Sequence, residues 1–373
     1  MKTIGIVCTA RASWAKLYPV VRALVAQRQS PILYFCGSAI LERFGNVARV
    51  AKQEFPQLLI RDLYSEVDGY NLITSGKSTA LLLSGLSDYL ALDDPRVVVV
   101  NHDRREVLAV AQAAAYQNRI VAHIGSGERT GSIDDRTRDA ITALSTYQFP
   151  ATALSTGRTY ALTGQLDRIL QTGCPSLDLA QEALHEPPVG IEEISGSGAV
   201  VNPHEPFVLV IQHADTNEWQ DTFDQMTSTL RAVTSLGMPC LVQYSNVDAG
   251  AERLHKAVRV FKDQHPKALL RTIPNLKPNR FLRLLSQASA LMGNSSAGIR
   301  EASFLGTPVV NVGNRQYGRE RAGNVIDVGY DMIAIAGALA KQLQHGRYRS
   351  SSLYGDGAAG PRIAQKLREI VNE

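Results

Sequence analysis

The sequence predicts an α/β protein made of two doubly wound domains with parallel sheets. Three observations carry that expectation. Short runs rich in β-branched residues alternate with stretches whose apolar residues recur at helical spacing. The alternation stops at a Gly/Pro-rich segment and then restarts. The chain has 373 residues, the length of two domains at about 100–200 residues each.

Thr3-Ile4-Gly5-Ile6-Val7-Cys8 is the first expected strand, followed by a helix with Leu17, Val20, Val21, Leu24 and Val25 on one face. Pro31 to Phe35 and Val97 to Val100 are continuous apolar runs, the signature of strands covered on both sides. Val107, Val110, Ala111 and Ala114 repeat at helical spacing, and Ile120 to Ile124 is the next strand. This βαβ order implies right-handed crossovers and a parallel sheet in residues 1–185. Pro187, Pro188, Gly190, Gly196, Gly198, Pro203 and Pro206 break the rhythm, so 186–206 is expected to be a linker. A second series over 207–360 begins at Phe207 to Ile211 and continues through Pro239 to Val242, Ala290 to Met292 and Pro308 to Val312. Open parallel sheets bind ligands beyond the carboxyl ends of their strands. The loops there, and a cleft between the domains, are where function is expected.

Composition narrows the classes. Apolar residues make up 45%, charged 20% and aromatic 6%, which excludes disordered, collagenous and coiled-coil chains. Thirty-nine Lys plus Arg against 35 Asp plus Glu give a net charge of only +4, too little and too dispersed for a nucleic-acid partner. Cys8, Cys36, Cys174 and Cys240 lack metal-ligand spacing and read as buried thiols of a reducing cytoplasm. The N-terminal apolar run meets Arg11 too early for a signal peptide. No stretch reaches the ~18 apolar residues of a membrane span.

Several strand ends carry polar constellations. Thr9 to Ser13 turns into a helix and offers the Arg11 guanidinium, a fork suited to phosphate. Asn101-His102-Asp103-Arg104-Arg105-Glu106 follows the Val-rich strand, where Asp103 also fits the cap of the next helix with Glu106 in its first turn. His123-Ile124-Gly125-Ser126-Gly127-Glu128 and Asp134-Asp135 follow the next strand. Their carboxylates, with Asp103, suit proton abstraction and return, while Ser132 to Asp135 also fit a helix cap. In the second half, Gln212-His213 and Tyr244 to Gly250, including Asn246, end two strands. A histidine there can neutralise a leaving diphosphate and an asparagine can orient it. Gly293-Asn294-Ser295-Ser296-Ala297-Gly298-Ile299-Arg300-Glu301 combines small residues, hydroxyls and helix-start amides, an anion seat with a carboxylate, Glu301, for a ribose diol. Arg315 and Arg319 follow. The string is neither a Walker A motif nor the dinucleotide fingerprint.

At these motifs the chain resembles the hydrolysing UDP-N-acetylglucosamine 2-epimerases that begin sialic-acid synthesis in bacteria and animals. The likeness runs end to end, through Arg11-Ala12, Asp103-Arg104, Gly127-Glu128, Thr130 to Asp135, Arg138, Gly173 to Ser176, Gln212-His213, Asn246 to Gly250, Gly293 to Glu301, Arg315-Gln316, Gly318-Arg319 and Tyr354 to Gly357. It implies the GT-B fold, with a C-terminal helix within 361–373, about Pro361 to Val371, returning to the first domain. It also implies a reaction without metal or redox cofactor. UDP leaves from a UDP-sugar through a 2-acetamidoglucal, and water adds to yield N-acetylmannosamine or an analogue. By position, UDP falls to Arg11, Ala12, Arg104, His213, Asn246, Ser295, Ser296, Glu301 and Arg319, and catalysis to Asp103 and Asp134. His213, His102 and Glu128 are further candidates. Family members are usually homodimers or homotetramers, so self-association is expected, with no nucleic acid or membrane partner.

The chain departs from the family pattern on the sugar side. Relatives carry a third carboxylate two residues after the histidine matching His123, in an HIEGGE-like string; here the position is Gly125. An HGD-like string becomes Asn101-His102-Asp103, an HYH-like string becomes Thr146-Tyr147-Gln148, and Asp139 replaces a histidine after Arg138. Retained nucleotide binding with altered sugar chemistry follows, with His102 or Glu128 compensating at Gly125. Three readings stand: a hydrolysing 2-epimerase on UDP-N-acetylglucosamine or a modified UDP-HexNAc, a UDP-sugar hydrolase or glycosyltransferase without C2 chemistry, and a nucleotide-sugar-binding protein.

Overall fold

The computed structural model describes residues 3–373 apart from 43, 44, 69, 70, 216, 217, 245–249 and 275. It divides into two compact units, Met1–Asp178 with Tyr354–Glu373, and Leu179–Leu353. Unit 1 holds strands β1 (Thr3–Cys8), β2 (Ile32–Cys36), β3 (Ile60–Leu63), β4 (Pro95–Asn101), β5 (Ile120–Ile124) and β6 (Tyr147–Phe149). They form one parallel sheet in the order β3-β2-β1-β4-β5-β6. Unit 2 holds β7 (Ser197–Gly198), β8 (Val208–Ile211), β9 (Cys240–Gln243), β10 (Leu270–Ile273), β11 (Ala290–Gly293), β12 (Val309–Val312) and β13 (Val325–Val328). Its order is β13-β12-β11-β8-β9-β10-β7, parallel except for β7.

Setting β7 aside, each unit's strands run 3-2-1-4-5-6 in their own order of appearance, the Rossmann arrangement. The strand order therefore reverses between β1 and β4 in unit 1, and between β8 and β11 in unit 2. Chains leave each reversal in opposite directions, which opens a crevice at the carboxyl ends of those two strands.

The apolar runs are continuous because both faces of each sheet are covered. On β4, Val97 and Val99 pack with Leu17, Val20 and Leu24 of helix Arg11–Ala26. Val98 and Val100 point the other way, into Leu82, Leu86 and Leu90 of helix Leu72–Asp93 and Val107 and Val110 of helix Arg105–Tyr116. Helix Ala359–Asn372 closes the first layer with Ile363, Leu367 and Ile370. Its start is held by the Asp178 carboxylate, which accepts from the Ala359 and Gly360 amides at 2.9 and 2.7 Å.

The segment 186–206, expected as a linker, also contributes to a sheet. Ser197 and Gly198 pair antiparallel with Thr272 and Arg271 of β10. Cβ atoms on Gly196 or Gly198 would collide with the carbonyls of Thr272 and Leu270. These glycines answer to close strand approach rather than to flexibility. Among the described residues no helix is long and apolar enough to cross a membrane.

Candidate active site

The reversal in unit 1 places three polar loops together. Helix Arg11–Ala26 starts directly after β1 with Ala10 at its cap. Arg11 is partly buried, which pulls its guanidinium down to about 10 and leaves it protonated at neutral pH. Among the described residues it has no hydrogen-bond or ion-pair partner. A cation so placed favours an anionic ligand. Ala12, next to it, is exposed.

Asp103 does not cap the next helix. The cap position is Arg104, whose side chain makes no capping bond, and the Asp103 carboxylate instead pairs with the fully buried guanidinium of Arg138. Arg138 also donates to Asp135 at 3.0 Å and to the Glu128 carbonyl at 2.5 Å. It thereby joins the loops after β4 and β5. Arg104 leans on the buried Glu106, 3.2 Å away, which Arg105 meets at 3.1 Å. Burial pushes the Glu106 carboxyl up, but the two guanidiniums outweigh it and hold it below its usual range.

The neighbours Asp134 and Asp135 divide their work. Asp135 accepts from the Thr130 and Gly131 amides at 2.7 and 2.9 Å and so closes the loop; the cap position of the following helix is Ile133, which makes no side-chain cap, so the capping role expected of this string is not the one Asp135 takes. Asp134 opens helix Asp134–Leu144 and stays half-buried. Glu128 is 5% exposed. His123, fully buried, is structural: a carbonyl only accepts, so Nε2–H donates to the His102 carbonyl at 2.8 Å, and Nδ1 accepts from the Thr142 hydroxyl at 3.1 Å. Burial lowers this imidazole to about 4, so it is neutral. It fixes the backbone of His102, which stands at φ +63°.

The reversal in unit 2 is clamped by Asn294, the residue after β11. Its fully buried side-chain oxygen accepts from the His213 amide at 2.7 Å and its nitrogen donates to the His213 carbonyl at 2.9 Å. The Asn294 carbonyl in turn accepts from Arg315 at 3.3 Å and Gln316 at 3.0 Å, and Gln316 accepts from Arg319 at 2.6 Å. Ser295 caps the short helix that follows, accepting from the Ala297 amide at 3.3 Å, with Ser296 half-exposed beside it. Glu301 is buried, and its Oε2 meets no donor among the described residues. Asn246 lies outside the described residues. Among the described residues no group of three or more His, Cys, Asp or Glu is arranged to hold a metal ion.

Residues 32–368 match the family model described as UDP-N-acetylglucosamine 2-epimerase. The chain belongs to that epimerase family. It is 32% identical over 288 residues to the hydrolysing UDP-N,N'-diacetylbacillosamine 2-epimerase of Legionella pneumophila, covering 77% of this chain and 74% of that one. It is 25% identical over 374 residues to the UDP-N-acetylglucosamine 2-epimerase of Neisseria meningitidis, covering 100% and 95%. The crystal structure of UDP-GlcNAc 2-epimerase from Neisseria meningitidis bound to UDP-GlcNAc superposes with a TM-score of 0.81 at 18% identity, covering 99% and 100%. This epimerase-family chain thus has the GT-B fold, an α/β architecture of two Rossmann-like units, as the resemblance implied. The epimerase resemblance carried Arg138 and Asn294 only as letters in motifs. Their roles as loop-joining groups emerge from the folded contacts.

Proposed function

We propose that the protein is a hydrolysing 2-epimerase of a UDP-linked 2-acetamido sugar. Membership of the family supports an enzyme acting on UDP-sugars. The name of the Legionella relative supports both the hydrolysing course and a diacetylated substrate alongside UDP-N-acetylglucosamine. In this reading the unit 2 loops hold UDP. Arg319 and His213 meet the diphosphate, Ser295 and Ser296 add amide and hydroxyl donors, and Glu301 takes the ribose diol, with Arg11, Ala12, Arg104 and Asn246 completing the set. Asp103 and Asp134 move protons at the sugar, and Glu128 is held in reserve close by.

The carrying observation is the Glu301 oxygen. A buried carboxylate oxygen without a donor is costly, and the vicinal hydroxyls of a ribose supply what it lacks. The chemistry demands the rest. The C2 proton of the sugar is weakly acidic, so cations at the departing diphosphate matter as much as the base.

Incubation with UDP-N-acetylglucosamine and with UDP-N,N'-diacetylbacillosamine in deuterated water tests the reading. Free 2-epimerised sugar carrying deuterium at C2 is expected from at least one. Unlabelled, unepimerised sugar plus UDP would replace the reading by simple hydrolysis, and UDP binding without turnover of either would replace it by a binding protein. Asp103→Asn and Asp134→Asn are expected to lose turnover at unchanged UDP affinity, whereas Arg319→Ala weakens UDP.

A further inference from the structure

We propose that His102 is one of the two proton-carrying groups of the C2 epimerisation, the other being a neighbouring carboxylate. The inference rests on the epimerase reading above. Inversion at C2 requires a proton to leave one face of the sugar and another to arrive on the opposite face. Elimination breaks C2–H and C1–O: the proton passes to a base, the C–H pair becomes the C1–C2 double bond, and the C1–O pair leaves on UDP. Hydration then adds the hydroxyl of water at C1 and a proton at C2 from the other side. Two groups on two faces are therefore needed, and an imidazole that gains and loses a proton near neutrality suits one of them.

The geometry points to His102 through the space its ring occupies. A Cβ on Gly125 would overlap Nδ1 and Cε1 of His102, and Gly125 itself stands at φ +82°. Positions 102 and 125, at the ends of adjacent strands β4 and β5, thus compete for one volume, and this chain fills it from position 102. The histidine holds a left-handed backbone at φ +63°, a conformation that few residues other than glycine adopt, histidine among them. It is fixed there at both ends. Its amide donates to the Ile124 carbonyl at 2.8 Å and its carbonyl accepts from His123 Nε2 at 2.8 Å. An imidazole carried on a backbone fixed at both ends, next in sequence to Asp103, whose carboxylate Arg138 holds, is the arrangement of a positioned proton carrier.

His102→Gly separates this role from a structural one, because glycine relieves the left-handed backbone. Expected for H102G are an unlowered melting temperature, UDP affinity and KM within about threefold of wild type, and a turnover number lower by about 10²–10⁴-fold, the usual contribution of a positioned acid or base. Added imidazole should recover at least tenfold of the loss. His102→Asn, whose side chain also tolerates the left-handed backbone but transfers no proton, should be equally slow and not rescued by imidazole. In H102G/G125E a carboxylate enters the vacated volume from β5, and turnover should exceed that of H102G. H102G retaining more than a tenth of wild-type turnover, or falling without rescue by either imidazole or the carboxylate of the double variant, overturns the assignment while wild-type C2 labelling leaves the epimerase reading standing. Wild-type product without C2 deuterium overturns both.

Discussion

Replacing Arg138 with methionine removes the buried guanidinium that pairs with Asp103 and reaches the loop after β5, while keeping a long apolar stem. Arg138 is 1% exposed and Asp103 15%. Breaking a buried ion pair from one side costs about 3–5 kcal/mol. Asp135 keeps the donors from Thr130 and Gly131, so the loss falls on Asp103 and on the Glu128 carbonyl, and the partial exposure of the Asp103 carboxylate puts the total at the lower end, about 3 kcal/mol. For a unit of this size that is about 6–12 °C in melting temperature. Urea unfolding followed by fluorescence in a Trp219→Phe background reads unit 1 through Trp14, which is buried there at 2% exposure. In an Asp103→Asn background the same arginine change should cost about 2 kcal/mol less, because the charge that Arg138 balances there is already gone. A coupling energy below about 0.5 kcal/mol in this cycle would refute the pairing as the reason for Arg138.

Three further outcomes follow from the same contacts. His123 titrates at about 4 when folded against an ordinary 6.5, so between those pH values the unfolded chain binds a proton that the folded one refuses. Stability present above pH 6.5 is then lost as pH falls through the window, and wild type should lose about 2–3 kcal/mol more than His123→Gln between pH 7 and 4.5 in urea titrations; parallel pH curves would contradict this. Asn294→Ala removes two buried bonds to His213 and should cost about 2–3 kcal/mol and weaken UDP at least tenfold by calorimetry. Glu301→Gln should raise the Kd of UDP by about 5–30-fold but that of 2'-deoxy-UDP by much less; an equal change in both would remove the ribose from the role of Glu301.

The interior of the fold was legible in the sequence because central strands covered on both faces must be apolar throughout. Thr3–Cys8 and Ile120–Ile124 appear with the bounds read from the sequence, and β2, β4, β8, β9, β11 and β12 within a few residues of theirs. What escaped were strands at or near the sheet edges: β3, β6, β7, β10 and β13. Ile60-Arg61-Asp62-Leu63 and Val325 to Val328 are largely half-buried, so polar residues interrupt the run that would betray them. The site was legible in the same uneven way. Arg11, Asp103 and His213 stand just beyond strand ends and declare themselves by position. Arg138 and Asn294 act through contacts 35 and 81 residues away in the chain, which no local spacing encodes. The cap reading of Asp103 failed for that reason: a distant buried cation outcompeted the nearby amides.

The helix Ala359–Asn372 that packs beside Leu17 and Val20 has a bearing on how the molecule comes to be made. Unit 2 is continuous in sequence, so on a ribosome it has all its parts once residue 353 has emerged. The earlier-made Leu17, Val20 and Leu24 must wait through the whole of that synthesis with part of their apolar surface uncovered. Nascent chains stalled before residue 359 should therefore be bound by chaperones through their first-made portion, and deletions in the last two turns should lower the soluble yield far more than their length suggests.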